Sequence, residues 1–142
     1  MKLPDSAREL IESNALAHLV TLNEDGSPHV TLVWAGLDGD DIVTAHLVES
    51  QQKLQNMRRD SRVALNFESS TRSEMGLTEY LTIYGRSTIE EGGAPALLQR
   101  LATVYLGPDI KFPPMPDPPP GFINRVKVER ISGVGPWTGR AV

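Results

Sequence analysis

Short strand-like segments joined by tight turns most constrain what this 142-residue chain can fold into. Residues 16–22 form an apolar run that contains the β-branched Val20 and Thr21, and residues 28–34 form a second strand-like run. Between them lies Asn-Glu-Asp-Gly at positions 23–26, a sequence typical of hairpin turns. Because so short a connection joins antiparallel strands, we expect the sheet to begin with a β-hairpin.

Four further segments carry strand patterns. They cover residues 41–47, 62–68, 77–89 and 122–131. A short helix separates the third strand from the fourth, and the connections are too short for repeated βαβ units. The sequence therefore predicts a mainly β fold, a six-stranded antiparallel barrel with short flanking helices. Within the fifth strand, Gly85 is expected to mark a bulge or the close approach of another backbone.

Two flanking helices and one biased loop complete the predicted elements. Ser6 and Glu9 form a capping-box pattern for a helix that ends near Asn14, and residues 90–106 carry an apolar stripe at helical spacing. Residues 107–121 hold most of the 11 prolines, so this segment is expected to lie extended over the surface. This segment is either a connector or a lid. Its Phe112 and Met115 would suit an apolar wall that faces the substrate.

Composition excludes several classes of function. The net charge of −4 provides no basic surface for nucleic acid. The absence of cysteine excludes disulfides, thiolate catalysis, Fe–S clusters and cysteine zinc sites. No apolar run reaches membrane-spanning length, and the first nine residues do not resemble a signal peptide. We expect one domain over residues 1–142, in the cytoplasm, without a membrane partner.

Standard catalytic motifs are absent from the sequence. It contains no phosphate-binding P-loop, no G-x-S-x-G elbow, no H-E-x-x-H motif and no dinucleotide glycine fingerprint. The histidines His18, His29 and His46 lie on or beside different strands, and no two form a metal-ligand pair in sequence, so no metal site is predicted. His18, inside an apolar run, is interpreted as a core histidine. No catalytic residue is identified, and a proton from His29 or from solvent is equally compatible with the sequence.

The helix after the third strand has an unusual charge arrangement. Ser50 is its predicted N-cap, Gln51 its first helical residue and Lys53 its third. A cation therefore occupies the first turn, where an acidic residue would suit the helix dipole better. A lysine beside free backbone N–H groups and a serine hydroxyl suits a bound phosphate or carboxylate. The alternative is that Lys53 extends into water near Glu49.

Three sequence blocks together resemble the pyridoxamine-phosphate-oxidase-like split-barrel superfamily. They are D-G-S-P-H-V-T-x-V-W at 25–34, K-x-x-N-M-R-R-D-x-R-V-A-L at 53–65 and I-S-G-V-G-P-W at 131–137. The chain is similar, more narrowly, to the actinobacterial branch that uses the deazaflavin coenzyme F420. The resemblance implies a homodimer of six-stranded split barrels with two cofactor sites between the subunits.

The resemblance also implies roles for individual residues. The segment matching Ser50, Gln51 and Lys53 holds the cofactor phosphate. The remaining cofactor-binding positions are Thr31 and Val33 along the ring, His46 near the phosphoribityl chain and Trp137 toward the ring region.

One departure from the superfamily bears on the cofactor. Its FMN-using oxidases usually place an arginine and a lysine along the second strand, whereas residues 30–34 hold neither, and Gln52 replaces an arginine beside Lys53. Coenzyme F420 has a phosphodiester, which carries less charge than the FMN phosphate. The expected activity is hydride transfer between F420 and a small unsaturated or quinone-like acceptor. The alternatives are an FMN-binding oxidoreductase and a non-enzymatic binder of a cofactor or small tetrapyrrole.

Overall fold

The computed structural model describes residues 1–138, which form three α-helices and seven β-strands. The helices are α1 (Asp5–Glu12), α2 (Gln52–Arg59) and α3 (Ala94–Tyr105). The strands are β1 (Ala17–Leu22), β2 (Pro28–Val33), β3 (Gly36–Asp38), β4 (Asp41–His46), β5 (Arg62–Arg72), β6 (Thr78–Glu91) and β7 (Phe122–Val134). A short 3-10 helix, Pro136–Thr138, follows β7. None of the described helices is both long and apolar enough to cross a bilayer.

All seven strands belong to one antiparallel sheet, in the order β2-β1-β5-β6-β7-β4-β3. The two edge strands, β2 and β3, are joined by only Trp34 and Ala35, so the sheet curves until its edges nearly meet. This arrangement confirms the predicted mainly β, antiparallel split barrel. The predicted count of six strands is wrong by one. Because β3 contains three residues and no turn signal separates it from β2, no sequence pattern distinguishes it.

The barrel core consists of inward-facing residues of the central strands. Leu19, Leu65, Phe67, Leu81 and Ile83 are completely buried and form one cluster. Alternate residues of β1 and β5 are buried, which is the period-two pattern that a half-buried sheet requires. This pattern corrects the interpretation of His18: it is exposed, because it lies on the outer face between two inward residues.

Helix α2 packs Leu54 and Met57 into the core, as their spacing predicts. Its predicted first residue is wrong, however. Gln51 has an extended backbone and is the N-cap, with no side-chain capping bond, and Ser50 is exposed. The buried Asn56 fixes the helix against the first hairpin, because its Nδ2 donates to an Oγ1 and an Oδ1 there. These acceptors belong to Thr21, at 3.1 Å, and Asn23, at 2.9 Å.

The other two helices also begin elsewhere than predicted. Pro4 is the N-cap of α1, without a side-chain capping bond, so the capping box at Ser6 does not form. Helix α3 begins at Ala94 because Glu90 and Glu91 continue β6, where they pair with β7. Both differences arise where pairing or a proline, rather than local propensity, sets the element boundary.

Gly85 lies at a bulge, as predicted. The register between β6 and β7 shifts by one residue between the pairs Tyr84–Arg130 and Gly85–Val128. A Cβ atom at position 85 would collide with the backbone carbonyl oxygen of Lys127. Only glycine therefore fits at this position of the bulge.

Candidate functional site

A cleft of about 230 Å³ opens beside the free edge strand β2 and the first turn of α2. Its lining residues are Leu32, Val33, Trp34, Ala45, Lys53, Leu98 and Phe112. Two of the predicted site residues, Val33 and Lys53, thus share one cleft. In the part of the chain that the structure describes, the lysine is the one charged residue of this lining, and the remaining side chains are aliphatic or aromatic.

Lys53 is held in this cleft without an acidic partner. Its side chain is half-buried, and burial lowers its pKa from the ordinary value. None of the ion pairs found among residues 1–138 includes it. Glu49, the residue near which Lys53 was alternatively expected to lie, instead pairs with Arg58 at 2.7 Å. A partly desolvated, unpaired ammonium group favours an anionic ligand.

His46 lies close to Lys53 at the end of β4 and is only 3% exposed. Its Nε2 lies 2.8 Å from Thr44 Oγ1, which is within hydrogen-bonding distance. Burial, and then the positive charge of Lys53, lowers the pKa of His46 to about 4, while the Gln51 side chain acts in the opposite direction. The imidazole is consequently neutral at pH 7, and it can accept or donate a hydrogen bond without adding a second positive charge.

Two further predicted residues carry buried polar atoms without partners. Thr31 Oγ1 and Gln51 Oε1 have no hydrogen-bond partner among the described residues. Thr31 lies two positions before Val33 on β2, so both side chains are on the same face of the strand. Because buried polar groups are nearly always hydrogen-bonded, the Thr31 oxygen suits a polar ligand, whereas the Gln51 side chain lies close enough to His46 to raise the pKa of that imidazole.

The structure does not bring every predicted residue to this cleft. Ser50 is exposed just before α2, so its side chain is accessible but not part of the lining. Trp137 is buried elsewhere, where its Nε1 donates to the Tyr80 carbonyl oxygen at 3.0 Å. It lines a different cleft, together with Glu9 and Leu10 of α1. A contact between Trp137 and a cofactor ring therefore stays a prediction, and this chain's own Lys53 cleft does not include Trp137.

An aromatic wall closes one side of the cleft. Trp34 stacks on Tyr105 of α3 with ring centroids 5.5 Å apart and planes 9° apart. Phe112 meets Trp34 edge-on, with centroids 5.1 Å apart and planes at 61°. The proline-rich segment thus contributes Phe112 to the cleft, whereas the Met115 side chain is 41% exposed and does not line it.

A glutamine on α3 holds this segment in place. The Gln99 Nε2 donates to the Ile110 carbonyl oxygen at 2.7 Å, and the Phe112 N–H donates to Gln99 Oε1 at 2.9 Å. The side-chain amide therefore binds the loop backbone on both sides of Lys111. Nothing in the spacing of residues 90–106 distinguishes Gln99 from a solvated polar residue, so its role cannot be predicted from the sequence.

The donor set suits an organic anion better than a metal ion. No cluster of three or more histidine or acidic side chains with metal-binding geometry occurs in the part of the chain that the structure describes. The cleft offers one ammonium group and an apolar wall, and Thr31, Gln51 and His46 are not among its lining residues. The lining residues fit the phosphate end of a flavin-like cofactor.

Comparisons with known proteins identify the family of the whole chain. Residues 3–135 match the family model described as pyridoxamine 5'-phosphate oxidase. An F420 reductase structure is similar, with a TM-score of 0.74 and 25% identity over 92% of this chain and 98% of that chain. A comparison with curated proteins gives no match.

Two more distant structures share the fold. A conserved hypothetical protein from Mycobacterium tuberculosis has a TM-score of 0.71 and 22% identity over 93% of this chain and 86% of that chain. HupZ from Group A Streptococcus has a TM-score of 0.65 and 19% identity over 92% of this chain and 93% of that chain. Because the family model spans β1 through β7, the chain belongs to the pyridoxamine 5'-phosphate oxidase family, whose split barrel binds flavin or related cofactors.

Proposed function

We propose that this protein is an F420-dependent oxidoreductase that transfers a hydride between the deazaflavin coenzyme and a small unsaturated or quinone-like acceptor. One observation carries the proposal: within residues 1–138, Lys53 is the single cation of a cleft whose neighbouring strand β2 supplies neither arginine nor lysine. One positive charge matches a phosphodiester better than a doubly ionised phosphate monoester. The similarity to an F420 reductase supports the same choice of cofactor.

The protein's residues would bind and orient the cofactor. Lys53 anchors the phosphate, with hydrogen bonds added by Gln51 and by the exposed Ser50. Neutral His46 contacts the phosphoribityl chain. The bound coenzyme supplies the two-electron chemistry that no side chain of this protein provides.

The strand β2 would contact the ring. Thr31 directs a buried, unpartnered hydroxyl oxygen from this strand, and Val33 provides an apolar surface in the cleft. As the edge of the sheet, β2 pairs with β1 and with no other described strand, so its other side has backbone groups available to a ligand. The contribution of these residues is orientation and exclusion of water rather than covalent catalysis.

We further propose that two copies form a homodimer with the cofactor sites between them. The outer face of β1 and β2 carries Leu32, 52% exposed, Val30, 56% exposed, and the exposed His18. Aliphatic side chains this exposed on neighbouring positions of one strand favour a protein interface. We expect sedimentation to give a dimer for the wild type and a monomer for Leu32→Glu. A wild-type monomer would contradict this part of the proposal.

The cofactor is tested by titrating the purified protein with F420 and, separately, with FMN, while fluorescence is followed. Micromolar binding of F420 with much weaker binding of FMN is expected. The reverse order would identify an FMN-binding oxidoreductase of the same fold, and binding of neither would contradict the proposal.

The enzymatic role needs a second measurement. The reduced, bound coenzyme is mixed with a panel of electron-poor alkenes, imines and quinones, and its oxidation is timed. If no acceptor accelerates oxidation, a protein that stores a cofactor or binds a tetrapyrrole becomes the better explanation. The cytoplasmic location expected from the sequence stays a prediction, for which fractionation of the native cells is the test.

A further inference from the structure

We propose that Trp34 and Phe112 form a selectivity wall that limits the Lys53 cleft to a phosphate carrying one negative charge. This inference rests on the proposed function and assigns the choice between phosphodiester and phosphate monoester to specific residues. The wall consists of these two aromatic side chains together with Leu98 of α3. Its role would be to withhold a second cation and water from the phosphate that Lys53 binds.

The charges around the cleft support this role. Among the described residues, Lys53 is the one ionised group of the lining, and its half-buried side chain means that the cleft removes part of the water from a charged group. A phosphate with one charge is neutralised by this ammonium group. A second negative charge would be placed against Trp34 and Phe112 without a partner, and burial of an unpaired charge is strongly unfavourable.

The cations that flank the cleft in sequence are engaged elsewhere. Arg58 pairs with Glu49 and also lies over the Phe122 ring, 5.0 Å from its centroid. The Arg59 guanidinium donates to the Leu22 carbonyl oxygen.

The more distant cations are likewise not part of the lining. Arg62 pairs with Asp60 at 2.7 Å, and Arg100 donates to the Leu37 carbonyl oxygen at 3.0 Å. Lys111 is exposed to solvent and does not line the cleft. A second phosphate charge would therefore find no cation among the lining residues.

The wall is held rigidly, so it does not readily move aside. Trp34 stacks on Tyr105, whose hydroxyl donates to the carbonyl oxygen of Ala15 at 2.8 Å and lies 3.2 Å from the Ala35 carbonyl oxygen. Phe112 is fixed through its backbone by Gln99. Gln99 is thus a positioning residue, because it contacts the loop rather than the ligand. Preorganisation of this kind makes the exclusion of a larger or more charged group effective.

The experiment compares FMN with its phosphate monomethyl ester at pH 8. Both have the same ring, but above the second phosphate pKa of about 6 FMN carries two phosphate charges and the ester carries one. For the wild type we expect the ester to bind about tenfold more tightly, the scale of one unfavourable charged interaction. Trp34→Lys should reverse the preference, and the matched control Trp34→Phe should retain it.

Two more variants keep the test informative if Trp34→Lys does not fold. Leu98→Lys adds a cation to the wall from the half-buried side of α3 and should also shift the ratio toward FMN. Gln99→Ala releases the loop and should reduce the ester preference, whereas a merely structural role would lower thermal stability and leave the ratio unchanged.

The outcomes separate this inference from the proposed function. If the wild type does not bind F420, the proposed function fails, whatever the flavin ratio is. If it binds F420 but binds FMN as tightly as the ester, the wall does not select charge and the inference is overturned. The inference is also overturned if neither flavin binds to a protein that binds F420, since selection would then reside at the ring.

Discussion

Two cations in this barrel have opposite surroundings. The guanidinium of Arg125, on β7, lies 2.8 Å from Asp38, 3.5 Å from Asp41 and 3.3 Å from Glu90. Hydrogen bonds to Asp38 and Glu90 raise the pKa of Arg125. Lys53 has no carboxylate partner among the described ion pairs, and burial lowers its pKa.

The comparison separates a structural cation from a ligand-binding one. Arg125 connects β3, β4 and β6 to β7, because carboxylates on these three strands pair with its guanidinium. Lys53 is kept partly desolvated without a carboxylate partner among the described residues, so its charge is available to a ligand. The expected effects of mutations and pH on these two regions therefore differ.

The largest expected effect concerns His46, which reports how dry the Lys53 region is. Its pKa is about 4 in the folded protein and 6.5 as the ordinary value, so the unfolded chain binds the proton more tightly. The free energy of unfolding should have its full value above pH 6.5. It should decrease by about 3 kcal/mol as the pH drops from 6.5 to 4. The measurement is urea unfolding at several pH values.

The control for this prediction is His46→Gln, which places an amide where Nε2 bonds to Thr44 but cannot titrate. Subtracting its pH profile removes the contribution of the carboxylates. If the wild type and the variant have parallel profiles, then His46 is not desolvated and the contrast with Arg125 is weaker than the structure indicates.

The next effect is on ligand affinity. Lys53→Ala should weaken F420 binding by about 1.5–3 kcal/mol, because a charged hydrogen bond to the phosphate is lost. The melting temperature of the ligand-free protein should hardly change, since no described residue pairs with Lys53. Fluorescence titration and thermal unfolding measure the two quantities. A large loss of stability with unchanged affinity would show that Lys53 is structural.

The smallest effect is expected for Arg125→Met. Removing this cation should lower the free energy of unfolding by about 1 kcal/mol, because the paired carboxylates of Asp38 and Glu90 are substantially exposed and screened by water. F420 affinity should not change. Denaturant unfolding and the same titration test both statements, and weaker F420 binding in this variant would remove the distinction between the two cations.

The sequence predicted well where local pattern and packing agree. The hairpin of β1 and β2 and the core-facing Leu54 and Met57 follow from turn chemistry and spacing, and the structure contains them. Lys53 could be predicted to bind an anionic ligand because a cation in the first turn of a helix opposes the dipole. Such conflicts between local preference and observed residue type often mark binding sites.

The remaining features depend on contacts between distant parts of the chain. His18 is exposed because pairing of β1 with β2 and β5 sets which face of the strand is buried, and an apolar run alone does not specify this. Gln99 acts through a loop 11 residues away at Ile110. Trp137 was expected near the ring, but its placement against Tyr80 depends on the path of the last residues of β7.

At the bulge beside Gly85, the alternation of inward and outward side chains along β7 changes its phase. Asn124 and Val128 face inward before the bulge, the adjacent Glu129 and Arg130 are both exposed, and Ile131 then packs against the core. Even-numbered residues are buried in the first half, whereas the core contact of the second half is made by an odd-numbered residue. The alternation of side chains therefore restricts where residues can be inserted into β7 or deleted from it. Loss of the extra residue at the bulge would restore regular pairing, whereas loss of one residue elsewhere in β7 would turn the residues on one side of the deletion toward the wrong side of the sheet.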